Sequence, residues 1–168
     1  MLGLEWGTIS VENFEQTLSK LSQDHTLLNS VEEATKQGAV LPILSALGWN
    51  CINIQEVTPE FSVGNGRIDY CLRVHQKKSV FIEVKRATED LERHEKQLLE
   101  YSFEYGVDIA ILTNGLTWWF YLPLLGGNWQ QRKFFSIDIR QQKVESAINH
   151  FKDFLSKESI LNGSAVKK

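Results

Sequence analysis

Cysteine is scarce in this chain: Cys51 and Cys71 are the only two in 168 residues. They form no C-x-x-C pair and no clustered ligand pattern, which argues against a structural zinc site and for a reducing, cytoplasmic setting. Long apolar runs are missing as well. No stretch approaches the roughly 20 apolar residues that a membrane span needs, and Met1 to Trp6 lacks the basic-then-apolar pattern of a signal peptide, so no membrane partner is expected. Neither sign of charge dominates, with a formal net charge of −3. That excludes a surface covered in phosphate-binding cations but not a nucleic-acid ligand, because basic contacts can be local; non-specific affinity for DNA should be weak and fall with salt. There is no G-x-x-x-x-G-K-[ST] loop, hence no ATP-driven motor. Repeats and low-complexity segments are absent too, and 42% hydrophobic with 23% charged residues is an ordinary globular composition.

What is present reads as one α/β domain over 1–168, with an N-terminal helix (about 10–22) and a tail (162–168) at its periphery. Ser10 is a plausible N-cap for the first helix, which carries Phe14, Leu18 and Leu21 on one face. Ser30-Val31-Glu32-Glu33 has the capping-box form, and Ala39, Val40, Ile43, Leu44 and Leu47 follow at helical spacing. Pro42 predicts a kink inside that helix and Gly48 its end. Ile52 and Ile54 alternate as in a strand that Thr58-Pro59 breaks. Strands are then predicted from Ile68 to Val74 after the Gly64-Asn65-Gly66 turn, and from Ser79 to Val84 after a 75–78 hairpin link. A helix over about 89–105 closes at Gly106. Strands follow at 109–112, 117–122 and 133–139, then an amphipathic helix over 141–155 and a frayed tail from Asn162. A helix between the Ser79 and Ile109 strands implies a parallel crossover, and the short links imply antiparallel pairs, so the central sheet is expected to be mixed and flanked by helices.

The residues that carry chemistry are Asp69, thirteen intervening positions, then Glu83-Val84-Lys85. Side chains alternate along a strand, so Glu83 and Lys85 point the same way. Two neighbouring strands can bring two carboxylates and one ammonium to a common edge. Hard oxygen ligands suit Mg²⁺, and an adjacent lysine can orient water or offset charge in phosphodiester hydrolysis. A Glu-x-Lys tripeptide alone is more often a solvated charge pair; its place at the end of an apolar strand, one hairpin after Asp69, strengthens the chemical reading. His25, His75, His94 and His150 show no ligand spacing. Trp119 and Tyr121 share a strand face, as core or as a stacking surface. Arg86, Arg93 and Lys96 read as a solvated face or a modest phosphate-guiding patch.

Several motifs in order resemble the N-terminal nuclease domain of type I restriction enzyme R subunits, within the PD-(D/E)XK superfamily. They are Glu32-x-x-Thr35-x-Gln37; Leu41-Pro42-x-Leu44-x-x-Leu47-Gly48-Trp49; Arg67-Ile68-Asp69-Tyr70; Ile82-Glu83-Val84-Lys85; Gln97-Leu98-Leu99-Glu100-Tyr101; and Leu112-Thr113-Asn114-Gly115 with Trp119. The resemblance covers roughly 30–123. Ile68 stands where the superfamily's name has proline. The resemblance implies a restriction-endonuclease-like fold and a Mg²⁺-dependent endodeoxyribonuclease, with Mn²⁺ as a substitute. Asp69 and Glu83 would be metal-binding carboxylates, Lys85 the catalytic lysine, Glu32 an additional acidic residue near the metal, and Gln97, with Tyr101, part of a Gln-x-x-x-Tyr element of the nuclease site. For Glu32 the alternative is a helix-capping role; for Gln97 it is that of a polar neighbour to a core tyrosine. Lacking a motor, the chain resembles a standalone relative or an excised domain. Its expected partners are DNA, a second copy of itself for cutting both strands, and other restriction-system proteins. Two other readings stay open: a non-catalytic nucleic-acid-binding or assembly module that keeps the fold, and a homo-oligomeric scaffold.

Overall fold

The computed structural model describes residues 11–75 and 77–167. One sheet of six strands runs through it in chain order: β1 (Val57–Val63), β2 (Gly66–Val74), β3 (Lys77–Val84), β4 (Ile109–Thr113), β5 (Thr117–Tyr121) and β6 (Lys133–Asp138). All neighbours are antiparallel except β3 and β4, which pair in parallel with Glu83 opposite Leu112. A helix must return the chain between parallel strands, and α4 (Glu95–Tyr105), entered through a 3₁₀ turn at Leu91–His94, does so. The α/β architecture with a mixed central sheet is therefore the one expected from the sequence.

Each face of the sheet buries its own core. On one, Leu72, Val80, Ile82, Ile111, Trp118 and Phe120 pack with Phe14 and Leu18 of α1 (Val11–Gln23), Ile43 and Leu44 of α3 (Leu41–Ala46), and Phe151 of α6 (Val144–Leu155). On the other, Cys71, Phe81, Ala110, Leu112 and Tyr121 meet Leu98 and Leu99 of α4. Such two-sided burial is why β3 and β4 read as nearly unbroken apolar runs. The Tyr121 hydroxyl donates to the buried Glu95 at the start of α4, and Lys133 on β6 lies 3.6 Å from the same carboxylate. Burial first, then that carboxylate, drive the phenol well above its ordinary value. Among the described residues no helix is long and apolar enough to cross a membrane.

Local signals set most boundaries. The kink expected at Pro42 is a π-helical turn over Lys36–Val40, between the short α2 (Glu32–Thr35) and α3; Pro42 sits in the first turn of α3, where a missing N–H costs least. Gly48 ends α3 with φ at 93°. Its N–H donates to the Ser45 carbonyl and that of Trp49 to Leu44, the paired bonds of a Schellman cap. Gly106 closes α4 in the left-handed region. His94 pairs with Glu89 at 2.9 Å and His150 packs on Phe135, so both are packing or surface groups.

Other expectations need correction. The first helix is present, but its expected cap, Ser10, lies outside the described residues. Ser30 does not cap α2: the N-cap is Val31, without a side-chain bond, and the Ser30 hydroxyl donates back to the Thr26 carbonyl. That removes the capping-box role considered for Glu32. Ile52 and Ile54 lie in turns, 87% and 68% exposed; their alternation is too short to outweigh the Asn50 and Asn53 side chains, which accept from Ile52 and Gln55 N–H groups in local turns. The strand instead starts at Val57 and runs through Pro59. It is an edge strand, where a missing donor can be tolerated. β3 begins at Lys77, earlier than expected. The tail is folded rather than frayed, through α7 (Lys157–Leu161) and a 3₁₀ turn at Ser164–Val166 that buries Ala165.

One close approach positions the α2 end against the sheet. Gly115, between β4 and β5, has φ at 87°, and a Cβ there would meet Thr35 Cγ2 at 2.8 Å and Ala39 Cβ at 3.1 Å. Gly115→Ala therefore combines backbone strain with overpacking and is expected to destabilise by about 2–3 kcal/mol. Urea unfolding should show it as a lower midpoint at unchanged slope.

Candidate functional site

Asp69, Glu83 and Lys85 meet where β2 and β3 lie side by side. Ile82 and Val84 belong to the α1/α3/α6 core and Phe81 to the α4 core, so Glu83 and Lys85 follow Phe81 to the α4 side. Lys85 Nζ lies 2.9 Å from Glu83 Oε1, and both side chains are 16% exposed. The Asp69 N–H points to Glu83 Oε2 at 3.4 Å. Asp69 Oδ2 accepts the Val84 N–H at 2.7 Å, which ties the carboxylate to the neighbouring strand.

The sequence reading missed Lys36, in the π-helical turn. Its ammonium lies 2.6 Å from Asp69 Oδ1, 2.9 Å from Glu33, 3.5 Å from Glu60 and 3.6 Å from Glu32, with the side chain only 6% exposed. Glu60 reaches it from β1 with φ at 48°, a left-handed backbone that a non-glycine residue adopts at some cost, and also faces Arg67 at 3.6 Å. A signal for Lys36 was available. It sits four residues after Glu32, a stabilising helical spacing, and it is a charge between Thr35 and Ala39 on the side of the helix that is buried.

Glu32 therefore connects to Asp69 through an ammonium. Among the described residues, no three His, Cys, Asp or Glu side chains gather as a ready cage for a metal ion. Gln97 is exposed on α4 and donates to the Tyr101 hydroxyl at 3.3 Å. Tyr101 in turn packs on the β1–β2 turn, where a Cβ on Gly66 would lie 2.5 Å from its oxygen. Of the basic residues near the strand exit, Arg93 pairs with Asp90 and Lys96 with Glu100. Trp119 is half-buried with Lys133 Nζ 3.8 Å above its ring, whereas Trp118 and Tyr121 are core. An open cleft of about 900 Å³ lies between the Ser45–Asn50 turn and the α6–α7 segment, and none of Asp69, Glu83 and Lys85 lines it.

The electrostatics are those of crowded carboxylates. Burial, then the charge of Asp69, pushes the Glu83 carboxyl up to about 7 against the pull of Lys85. Lys36 and Lys85 both lose hydration on burial, yet their carboxylate partners outweigh that loss and hold both ammoniums above the ordinary lysine value. Because the raised Glu83 keeps its proton when folded but sheds it near 4.5 when unfolded, its contribution is fully present below 4.5 and is lost as pH rises to about 7. The metal-free protein should thus lose melting temperature across that window, on the order of 5 °C. Glu83→Gln should flatten the profile in calorimetric scans.

Residues 53–128 match the family model described as type I restriction enzyme R protein N terminus. That segment contains Asp69, Glu83, Lys85 and Gln97 but begins after Glu32 and Lys36. No curated protein matches the chain. Among solved structures, it is similar to a fragment assigned as an HsdR subunit of a type I restriction enzyme from Vibrio vulnificus YJ016, with 18% identity and a TM-score of 0.50. The similarity covers 70% of this chain and 24% of that one, so the chain spans about a quarter of its length. The type IIG restriction endonuclease BpuSI is similar at 19% identity and a TM-score of 0.47, over 77% of this chain and 16% of the other. The fold is of the restriction-endonuclease-like class, and over residues 53–128 the chain carries the signature of the type I restriction enzyme R protein N terminus, the family its motifs resemble.

Proposed function

We propose that this chain is a Mg²⁺-dependent DNA endonuclease domain of the restriction type, with Asp69, Glu83 and Lys85 as its chemical core. The observation that carries this reading is the meeting of those three side chains, from β2, β3 and the residue just after β3, within a segment matched by a restriction-enzyme family. The donor set fits a hard divalent ion. Two carboxylates, one raised to about 7 by burial and by the other's charge, leave negative charge that a dication would relieve. Asp69 and Glu83 would hold the ion. Glu32, on the far side of Lys36, is the third candidate. When bound, the ion supplies Lewis-acid charge at the scissile phosphate.

The chain's own residues do the rest. Val84 N–H fixes the orientation of Asp69, so the carboxylate needs no reordering. Lys85 is held by Glu83 at 2.9 Å, and from there it would orient the attacking water and offset the negative charge that builds during attack. Gln97, exposed beside Tyr101, would contact the DNA backbone. Other restriction-system proteins would supply targeting, and two copies, or two successive nicks, would sever both strands.

A second reading has its own support. Lys36 already neutralises Asp69, and no three-carboxylate cage is formed among the described residues; both suit a DNA-binding or assembly module without turnover.

Supercoiled plasmid incubated with Mg²⁺ or Mn²⁺ separates the two. The nuclease reading expects nicking, reduced by about 100-fold or more in Lys85→Ala and abolished in Asp69→Ala. Plasmid that stays intact with wild-type protein and either metal, while still being retarded in a gel, selects the binding module. Equal nicking by wild type and Lys85→Ala would place the activity outside this site.

A further inference from the structure

A lysine with 6% of its side chain exposed has given up most of the water its ammonium would hold, and only surrounding carboxylates can compensate. Among the described residues Lys36 has four of them. Two of them, Asp69 and Glu32, are among the three acids that the motif resemblance implies at the metal, the third being Glu83, and the ammonium lies 2.6 and 3.6 Å from them. With Oδ2 accepting from Val84 and Oδ1 beside Lys36, both oxygens of Asp69 are engaged. A second cation cannot share Asp69 Oδ1 with an ammonium so close without strong repulsion. The other two partners, Glu33 and Glu60, are 77% and 52% exposed. They give the lysine somewhere to go: its flexible stem can swing outward and keep two carboxylate partners while releasing Asp69.

We propose that Lys36 is a resident counter-ion that competes with divalent metal for Asp69. It holds the acidic cluster closed when no metal is present and withdraws toward Glu33 and Glu60 when metal binds. This rests on the reading of Asp69 and Glu83 as the metal pair. Its consequence is regulatory: metal affinity is set as much by the cost of displacing Lys36 as by the ligands themselves. Anything that draws Lys36 outward, such as a DNA phosphate, would raise that affinity.

The test is calorimetric titration of the whole chain with Mn²⁺, comparing wild type, Lys36→Met and Glu83→Gln. Lys36→Met should bind Mn²⁺ about tenfold tighter or more while its metal-free form melts lower, and Glu83→Gln should lose binding. If Glu83→Gln abolishes binding but Lys36→Met binds no tighter than wild type, the competitor role is overturned and the metal pair stands. If neither wild type nor Lys36→Met binds Mn²⁺, both readings fall. A measurement on the unaltered protein covers the case in which Lys36→Met does not fold. Brief acylation with an amine-reactive reagent, mapped by mass spectrometry, should modify Lys36 several-fold faster with Mn²⁺ than without it. An unchanged rate overturns the proposal.

Discussion

Two carboxylates buried within reach of one another cannot both stay ionised unless cations stand beside them, and that constraint organises this protein around Asp69 and Glu83. The sheet brings the acids together, because β2 and β3 are adjacent and Asp69 accepts the main-chain N–H of Val84. The compensation comes from two different elements. Lys85 follows directly on the strand that carries Glu83, two residues along the chain. Lys36 arrives from the helical layer and reaches Asp69 across the edge of the sheet. Removing one member of such a buried pair typically costs about 3–5 kcal/mol, since the partner's charge is left uncompensated. The cluster therefore contributes to the stability of the fold.

The rest of the fold serves to hold those two cations in place. Lys36 depends on a π-helical turn that Pro42 and the start of α3 terminate, and on the contact of Thr35 and Ala39 with Gly115, which lets α2 lie close to the β4–β5 turn. Lys85 depends on the parallel β3–β4 pair, prolonged by its own N–H donating to the Thr113 carbonyl at 2.8 Å. The helix α4 is fastened over that pair by Leu98 and Leu99 in the apolar layer and by the Tyr121–Glu95–Lys133 group at its N-terminal end. Gln97 and Tyr101 are then presented near the β1–β2 turn, on the side of the sheet that Glu83 faces. A site built this way is coupled to its scaffold: the same interactions that order the acids also order the helices.

Legibility in the sequence followed the range of the forces involved. Gly48 and Gly106 ended helices where a left-handed residue was needed, Pro42 marked a break in the hydrogen-bond ladder, and β3 and β4 were readable as runs apolar enough to be covered on both faces. The Ile52–Ile54 alternation misled because side-chain-to-backbone bonds from Asn50 and Asn53 form over two residues and win against a pattern that short. Pro59 misled in the opposite sense: it would break a central strand, and only the position of β1 at the sheet edge makes it harmless. Ser30 matched a capping motif, yet its hydroxyl found the Thr26 carbonyl of the preceding turn first.

By itself the sequence determined the alternation that puts Glu83 and Lys85 on one side of a strand, the hairpin order that makes Asp69 their neighbour, and the crossover that forces a helix over them. These follow from strand periodicity and chain connectivity, which are local properties. Only the tertiary structure decided that Lys36 is the cation on Asp69, that Glu60 joins it from another strand, and that Glu32 meets the acids through an ammonium. Those are meetings between segments far apart in the chain, selected by how two layers pack and by the need to neutralise charge once water has been excluded. No pattern along the chain encodes that need directly.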